Sequence, residues 1–126
     1  MAQMSARLGV KDLERELKFY SSLGFEVERS GAAARVSFGD TVLTVQSYDT
    51  LRVADRPLLD WEQNPSQFGT GIQFYLMVDN VDDVVGRIPI GVARPWPVQD
   101  KPWGLRELTL RTPSGYLLTF AQPIGR

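Results

Sequence analysis

Two stretches of the chain repeat one order of predicted elements, a strand, a helix and then up to three strands. Val10–Leu13 (VKDL) before the first predicted helix is echoed by Val78–Val81 (VDNV) before the second. Each unit alone would leave one face of its sheet bare, so two units are expected to pair within the chain or across a dimer. Because 126 residues suit one domain, we expect a single α+β domain, residues 1–126, of paired βαβββ modules.

The first module is expected within about residues 1–50 and begins with a strand at Ala6–Val10. Asp12 can cap the helix that follows, and Gly24 is suited to end it in a left-handed conformation. The helical spacing predicts buried positions at Leu13, Leu17, Phe19, Tyr20 and Leu23, and solvent-facing ones at Glu14, Arg15, Glu16 and Lys18. Strands are predicted at Phe25–Arg29, Arg35–Phe38 and Val42–Val45, the last two joined by a hairpin turn at Gly39-Asp40.

A connector, residues 51–69, separates the first module from a second one at about residues 70–126. The second module is predicted to contain strands at Gly71–Asp79, Glu107–Arg111 and Leu117–Ala121, a helix at Val81–Ile88 and a short strand at Val92–Arg94. Gly86 weakens the helix and Pro89 stops it. Residues 95–102 hold three prolines and are expected to form a rigid segment between Trp96 and Trp103.

The composition excludes several kinds of chemistry. The chain has no Cys and no His, which rules out disulfides, thiolate nucleophiles and catalytic triads that need histidine. Lys plus Arg number 14 and Asp plus Glu 15, so we expect neither a nucleic-acid nor a membrane partner. Residues 1–10 lack the apolar core of a signal peptide, and no run is long enough to span a membrane, so we expect a cytoplasmic protein.

Two motifs resemble a known family. The run from Asp12 to Phe25, with Phe19-Tyr20 and Leu23-Gly24, resembles the first helix of the vicinal-oxygen-chelate superfamily. That superfamily includes glyoxalase I, extradiol dioxygenases, fosfomycin-resistance enzymes and bleomycin-resistance proteins. Pro102–Glu107 (PWGLRE), with Pro113–Tyr116 and Leu117–Gln122, is similar to the closing segment of bleomycin-resistance-type members. The resemblance implies paired βαβββ modules whose curved sheets enclose a cleft.

In the enzymes of that superfamily, four inward positions hold a divalent metal ion. The resemblance matches them to Ser5, to Thr44 or Gln46, to Gln73 and to Thr119. Because these side chains supply no charge to replace the hydration of a divalent cation, we expect neither a metal site nor another cofactor. Asp79, Asp82 and Asp83 could form a carboxylate site elsewhere, but the solvated start of the second helix explains them better.

Aromatic side chains supply the candidate ligand contacts. Trp96 and Trp103 bracket the proline-rich segment at the expected mouth of the cleft, where either can stack on a planar ligand or close the core or a dimer seam. Arg106 and Glu107 are neighbours on one strand and must face opposite sides of the sheet. Glu107 could receive a cationic ligand or pair with a base, whereas Arg106 is the better candidate for a structural contact at the module junction. The other predicted ligand-binding residues are Phe38, Tyr48, Trp61, Gln73 and Thr119.

The sequence thus predicts a homodimeric, metal-free protein without catalytic residues that binds a small molecule. Its role would be to sequester an aromatic or cationic drug-like ligand, as the antibiotic-resistance members of the similar family do. The alternative is a metal-dependent enzyme, glyoxalase-like or dioxygenase-like, with atypical ligands.

Overall fold

A computed structural model of the chain describes residues 5–50 and 72–124. The chain divides into two compact units, residues 1–68 and 69–126. The predicted connector, residues 51–69, lies outside the described residues. Each unit has one mixed four-stranded sheet, with a helix between its first two strands. The predicted α+β fold of two βαβββ modules is confirmed.

The first unit contains, in order, β1 (Ala6–Val10), α1 (Leu13–Ser22), β2 (Glu26–Ser30), β3 (Ala33–Phe38) and β4 (Thr41–Ser47). Its strands lie in the order β1-β4-β3-β2. Strand β1 runs parallel to β4, and the other neighbouring pairs are antiparallel. Phe38 pairs with Thr41 across the predicted turn. Strand β2 starts one residue later than predicted, and β3 starts two residues earlier.

Helix α1 begins and ends as its sequence predicts. The Asp12 carboxylate accepts a hydrogen bond from the backbone N–H of Arg15 at 3.1 Å, and Gly24 has a φ of +96°. The five apolar positions predicted to be buried are all buried. Glu16 is also fully buried, so the prediction that it faces solvent is wrong. Glu16 lies three residues after Leu13, on the side of the helix that packs against the sheet. Its burial is therefore decided by its place on the helix and not by its charge.

The second unit contains β5 (Gln73–Met77), α2 (Val81–Val85), β6 (Gln99–Asp100), β7 (Leu105–Arg111) and β8 (Leu117–Pro123). Its strand order, β5-β8-β7-β6, repeats that of the first unit. Strand β5 runs parallel to β8, and the other neighbouring pairs are antiparallel. The turn between β7 and β8 is closed by a hydrogen bond from the Gly115 N–H to the Thr112 carbonyl at 2.9 Å.

Helix α2 is shorter than predicted. Asn80 caps it by accepting a hydrogen bond from the Asp82 N–H at 2.9 Å, but the helix ends at Val85 and not at Ile88. Gly86 forms its C-cap, because glycine in a helix interior is unfavourable and Pro89 prevents another turn. A helix with the length and apolar character of a bilayer-spanning segment is absent from the described residues.

The edge of the second sheet also differs from the prediction. Residues 92–94 do not form a strand, and Ala93 makes a single bridge to Arg111. The fourth strand is Gln99–Asp100, inside the segment predicted to be rigid and proline-rich. Residues between prolines can still pair along one edge of a sheet.

Candidate ligand site

Alternation along the strands gives the second sheet two different faces. One face packs under α2 and contributes the buried core residues Leu76, Leu108, Leu110, Leu118 and Phe120. The opposite face carries polar and aromatic side chains, namely Gln73, Tyr75, Glu107, Thr109 and Thr119. In the second unit, the side chains that could contact a ligand therefore lie on the sheet face that its own helix does not cover.

A cavity of about 170 Å³ lies on that polar face. Its described lining residues are Gln73, Tyr75, Trp96, Pro97, Gln99, Lys101, Trp103, Glu107 and Thr109. Four of the residues predicted to bind a ligand, Gln73, Trp96, Trp103 and Glu107, thus surround one cavity. A fifth, Thr119, lies fully buried behind Gln73.

The Lys101–Gly104 turn between β6 and β7 positions Trp103. The Gly104 N–H donates to the Lys101 carbonyl at 3.1 Å, and the Lys101 N–H donates to the Leu105 carbonyl at 2.7 Å. Pro102 suits the second position of such a turn, and Gly104 has a φ of +87° that other residues rarely adopt. The sequence KPWG therefore forms a tight turn that directs the indole toward the following strand.

Trp103 is held by Glu107. Its indole Nε1–H donates to the Oε2 atom of Glu107 at 2.7 Å. The Glu107 side chain is almost completely buried, whereas Trp103 is 61% exposed. An exposed indole usually loses conformational entropy when it is ordered, but here a charge-assisted hydrogen bond to a buried carboxylate fixes its orientation.

Tyr75 is a second donor to the same carboxylate, and the sequence analysis did not identify it. Its hydroxyl donates to Glu107 Oε1 at 3.2 Å. Desolvation, followed by the nearby charge of Glu107 and the hydrogen bond to it, raises the pKa of Tyr75 above its usual 10.0. The alternation of β5 was the available signal, because Tyr75 lies two residues after Gln73 and so shares its face.

Lys101 is the other lining residue that the sequence analysis missed. Its ammonium nitrogen lies 5.5 Å from the centroid of the Trp103 ring, within the range of a cation–π contact. Among the described lining residues, Lys101 is the one base and Glu107 the one acid. Nothing in the spacing of the sequence indicates this contact, because it depends on how the turn closes.

Gln73, Thr119 and Thr109 form a chain of neutral hydrogen bonds beside the cavity. Gln73 Nε2 donates to Thr119 Oγ1 at 2.7 Å, and the hydroxyls of Thr119 and Thr109 lie 2.8 Å apart. Gln73 and Thr119 are two of the positions matched to metal ligands. Both side chains are uncharged, and the Thr119 hydroxyl already accepts a hydrogen bond from Gln73 Nε2, so this donor set does not fit a divalent cation. In the described part of the chain, no three acidic side chains cluster into a possible metal site.

Arg106 points to the other side of the sheet from Glu107, as alternation predicts. Its guanidinium pairs with Asp82 of α2 at 3.2 Å and with Asp100 of β6 at 3.0 Å. These carboxylates raise the pKa of Arg106. These ion pairs are structural, but they lie on the helix and edge strand of its own unit, whereas the prediction placed the Arg106 contact at the module junction. Asp82 thus has a structural partner.

Phe38 and Tyr48 belong to the first unit and are not among the described residues that line this cavity. In the first unit, the Phe38 ring packs against Phe25 with centroids 5.0 Å apart, and Tyr48 follows β4 and is half-buried. Trp61 lies outside the described residues. Ser5 and Thr44 line a separate hollow of about 480 Å³ in the first unit.

No protein-family model and no curated protein sequence matches the chain. Solved structures do. A hypothetical protein from S. aureus matches with a TM-score of 0.77 and 21% identity, over 97% of this chain and 94% of that one. A glyoxalase/bleomycin resistance protein/dioxygenase family enzyme from Burkholderia phytofirmans matches with a TM-score of 0.77 and 14% identity, over 95% and 97% of the two chains. A bleomycin-binding protein complexed with bleomycin matches with a TM-score of 0.63 and 21% identity, over 97% and 98%.

Proposed function

Because the chain has the fold of the glyoxalase, bleomycin-resistance and dioxygenase superfamily, we propose that it binds a planar aromatic small molecule in the cavity of the second unit. Binding requires no metal ion. The observation that carries this proposal is the bond from Trp103 to Glu107. It orders a 61% exposed indole beside a cavity, where a ligand ring can stack at little entropic cost.

The volume of the cavity limits the size of the ligand that it can enclose. Pockets that enclose a drug-sized molecule usually have volumes of roughly 300–1,000 Å³, whereas this cavity has about 170 Å³. It suits one ring system or one charged group of a larger compound. Trp96, 44% exposed, lines the same cavity and supplies a second aromatic surface.

Polar groups around the cavity support binding without catalysis. Gln73 is fixed by its hydrogen bond to Thr119, and its remaining amide capacity can orient a ligand but supplies no electrophile. A metal-dependent glyoxalase-like or dioxygenase-like reaction would need charged donors at these positions. The role that fits is stoichiometric sequestration, and the neighbour complexed with bleomycin makes bleomycin a probe worth testing.

Calorimetric titration in the presence of EDTA tests the proposal, with bleomycin and the planar cation 1-methylquinolinium as probes. We expect saturable binding of at least one probe by the wild-type protein and none by Trp103→Ala. Arg106→Gln is the matched control, because Arg106 neighbours Glu107 but points away from the cavity. Binding that appears after addition of zinc or manganese and is absent in EDTA would contradict the proposal.

We also propose that two copies of the chain associate. Ile72, just before β5, and Met77, its last residue, are 44% and 57% exposed, and a second copy could cover such apolar surface. Analytical ultracentrifugation should give twice the chain mass of 14.1 kDa. A monomer at all concentrations would contradict the association.

A further inference from the structure

The cavity contains a buried carboxylate, that of Glu107, for which the described residues of the second unit provide no cationic partner. Glu107 is 4% exposed and accepts hydrogen bonds from Trp103 and Tyr75, both neutral. No Lys or Arg among residues 72–124 lies within ion-pair distance of it. Buried charges are normally paired, because desolvation of an isolated ion is costly. Each carboxylate oxygen uses one of its lone pairs on a neutral donor and retains capacity for another partner.

Lys101 carries the opposite charge in the same cavity but contacts the ring instead of the carboxylate. Its ammonium lies over the Trp103 ring, and it forms no ion pair with an acidic side chain in the described part of the second unit. Its backbone is fixed in the turn that positions Trp103. A cation–π contact at an exposed site changes an equilibrium constant by only about two- to fivefold, so an incoming group can displace the ammonium.

We propose that Lys101 is a tethered competitor for the Trp103 ring, and that the preferred ligand is an organic cation attached to a planar ring. The ligand replaces the Lys101 ammonium on the indole and places a positive charge beside Glu107, which no base among residues 72–124 does. This inference rests on the proposed function, because it concerns the same cavity. A ligand must then bind the cavity strongly enough to displace the Lys101 ammonium from the indole, and weakly binding cations do not.

The charge pattern disfavours the other two ligand classes. A neutral ring would gain the Trp103 contact but would leave the Glu107 carboxylate without a counter-charge. An anionic ring would be attracted by Lys101 but would place its charge in a small cavity beside Glu107, where like charges repel. A cation gains from both the ring and the carboxylate.

The test compares Lys101→Met with wild type, using two probes of nearly the same shape, 1-methylquinolinium and neutral quinoline at pH 8. Methionine keeps the length of the side chain and removes its charge. Lys18→Met, on the exposed side of α1 in the first unit, is the matched control for net charge. Affinities are measured by calorimetry at low and at physiological ionic strength, because screening weakens charge effects.

We expect Lys101→Met to bind 1-methylquinolinium about tenfold more tightly than wild type, because both the competitor and a like charge are removed. The affinity for quinoline should rise by no more than about threefold, since for a neutral probe the substitution removes a competitor but no charge repulsion. Lys18→Met should behave as wild type. In the free protein, the Lys101 ε-methylene protons should show an upfield ring-current shift that 1-methylquinolinium abolishes.

An equal gain for both probes, or weaker binding of the cation by Lys101→Met, would overturn the role of Lys101 while the proposed function stands. The same holds if the Lys101 protons lack the ring-current shift. If neither probe nor bleomycin binds any variant, the proposed function fails, and this inference fails with it.

Discussion

Trp103 and Glu107 are joined by a 2.7 Å hydrogen bond between the indole Nε1–H and the carboxylate Oε2. The bond connects the most exposed tryptophan in the described chain to a buried acid four residues later. It fixes the ring beside the cavity and gives the carboxylate a neutral donor. Replacing either residue should therefore change binding in a different and measurable way.

Glu107→Gln should weaken binding of 1-methylquinolinium by about tenfold or more, because loss of one partner of a partly buried ion pair costs at least ~1.4 kcal/mol. Binding of quinoline should change by less than about threefold, since no charge pairing is lost. Asp83→Asn, an exposed acid of α2 in the same unit, controls for net charge. Equal losses for the two probes would show that Glu107 acts through shape alone.

Trp103→Phe should lower the free energy of unfolding by about 1–2 kcal/mol, because it removes the indole donor to a charged group and keeps an aromatic ring. Urea denaturation followed by circular dichroism measures this. Trp96→Phe is the control, since in the described chain its indole N–H makes no hydrogen bond, and it should cost less than about 0.5 kcal/mol. If the two variants lost the same free energy of unfolding, the hydrogen bond from Trp103 to Glu107 would have no particular part in stability.

The raised pKa of Tyr75 predicts how the stability of the folded protein depends on pH above pH 10. The folded protein raises the pKa of Tyr75 above its unfolded value near 10.0, so the folded state holds this proton more tightly. The stabilisation is complete below pH 10 and is lost as pH rises through the folded pKa. Tyr75→Phe should lack this component, so its unfolding midpoint should fall less steeply above pH 10. Parallel profiles for wild type and variant would contradict the prediction.

The same tyrosine also reports on Glu107. In Glu107→Gln, ultraviolet titration should give Tyr75 a lower pKa than in wild type, because the negative charge is removed and any remaining hydrogen bond is to a neutral amide. Part of the elevation should remain, because desolvation is its largest cause. An unchanged pKa would mean that Glu107 does not act on Tyr75.

Thr119→Val should destabilise the protein by about 1–3 kcal/mol, although the two side chains have nearly the same shape. The fully buried Thr119 hydroxyl lies between Gln73 Nε2 and Thr109 Oγ1, and its removal leaves both without that partner. Thermal unfolding measures the loss. Thr41→Val, at an exposed position of β4, should change stability by less than about 0.5 kcal/mol.

Much of the fold was predictable because local rules and tertiary packing agree. The Asp12 cap, the left-handed Gly24 that follows α1 and the apolar spacing between them all indicate one helix. Burial of Glu16 could not be predicted from its charge, since it depends on which turn of the helix meets the sheet. Strand Gln99–Asp100 was missed because nearby prolines resemble a loop, although an edge strand needs few hydrogen bonds.

The candidate site was predictable where strand periodicity applies. Alternation placed Arg106 and Glu107 on opposite faces, and the resemblance selected Gln73 and Thr119. Tyr75 shared the same periodicity and was overlooked. The contact between Lys101 and Trp103 could not be predicted, because it is made by the closure of a four-residue turn and leaves no pattern in the sequence.

The most direct test of metal-free binding is a titration of ¹⁵N-labelled protein with 1-methylquinolinium in EDTA, following the indole N–H resonance of Trp103 by NMR. We predict a saturable shift of this resonance, unchanged when zinc replaces EDTA. A Trp103 resonance that stays in place in EDTA and moves only after zinc is added would contradict the account.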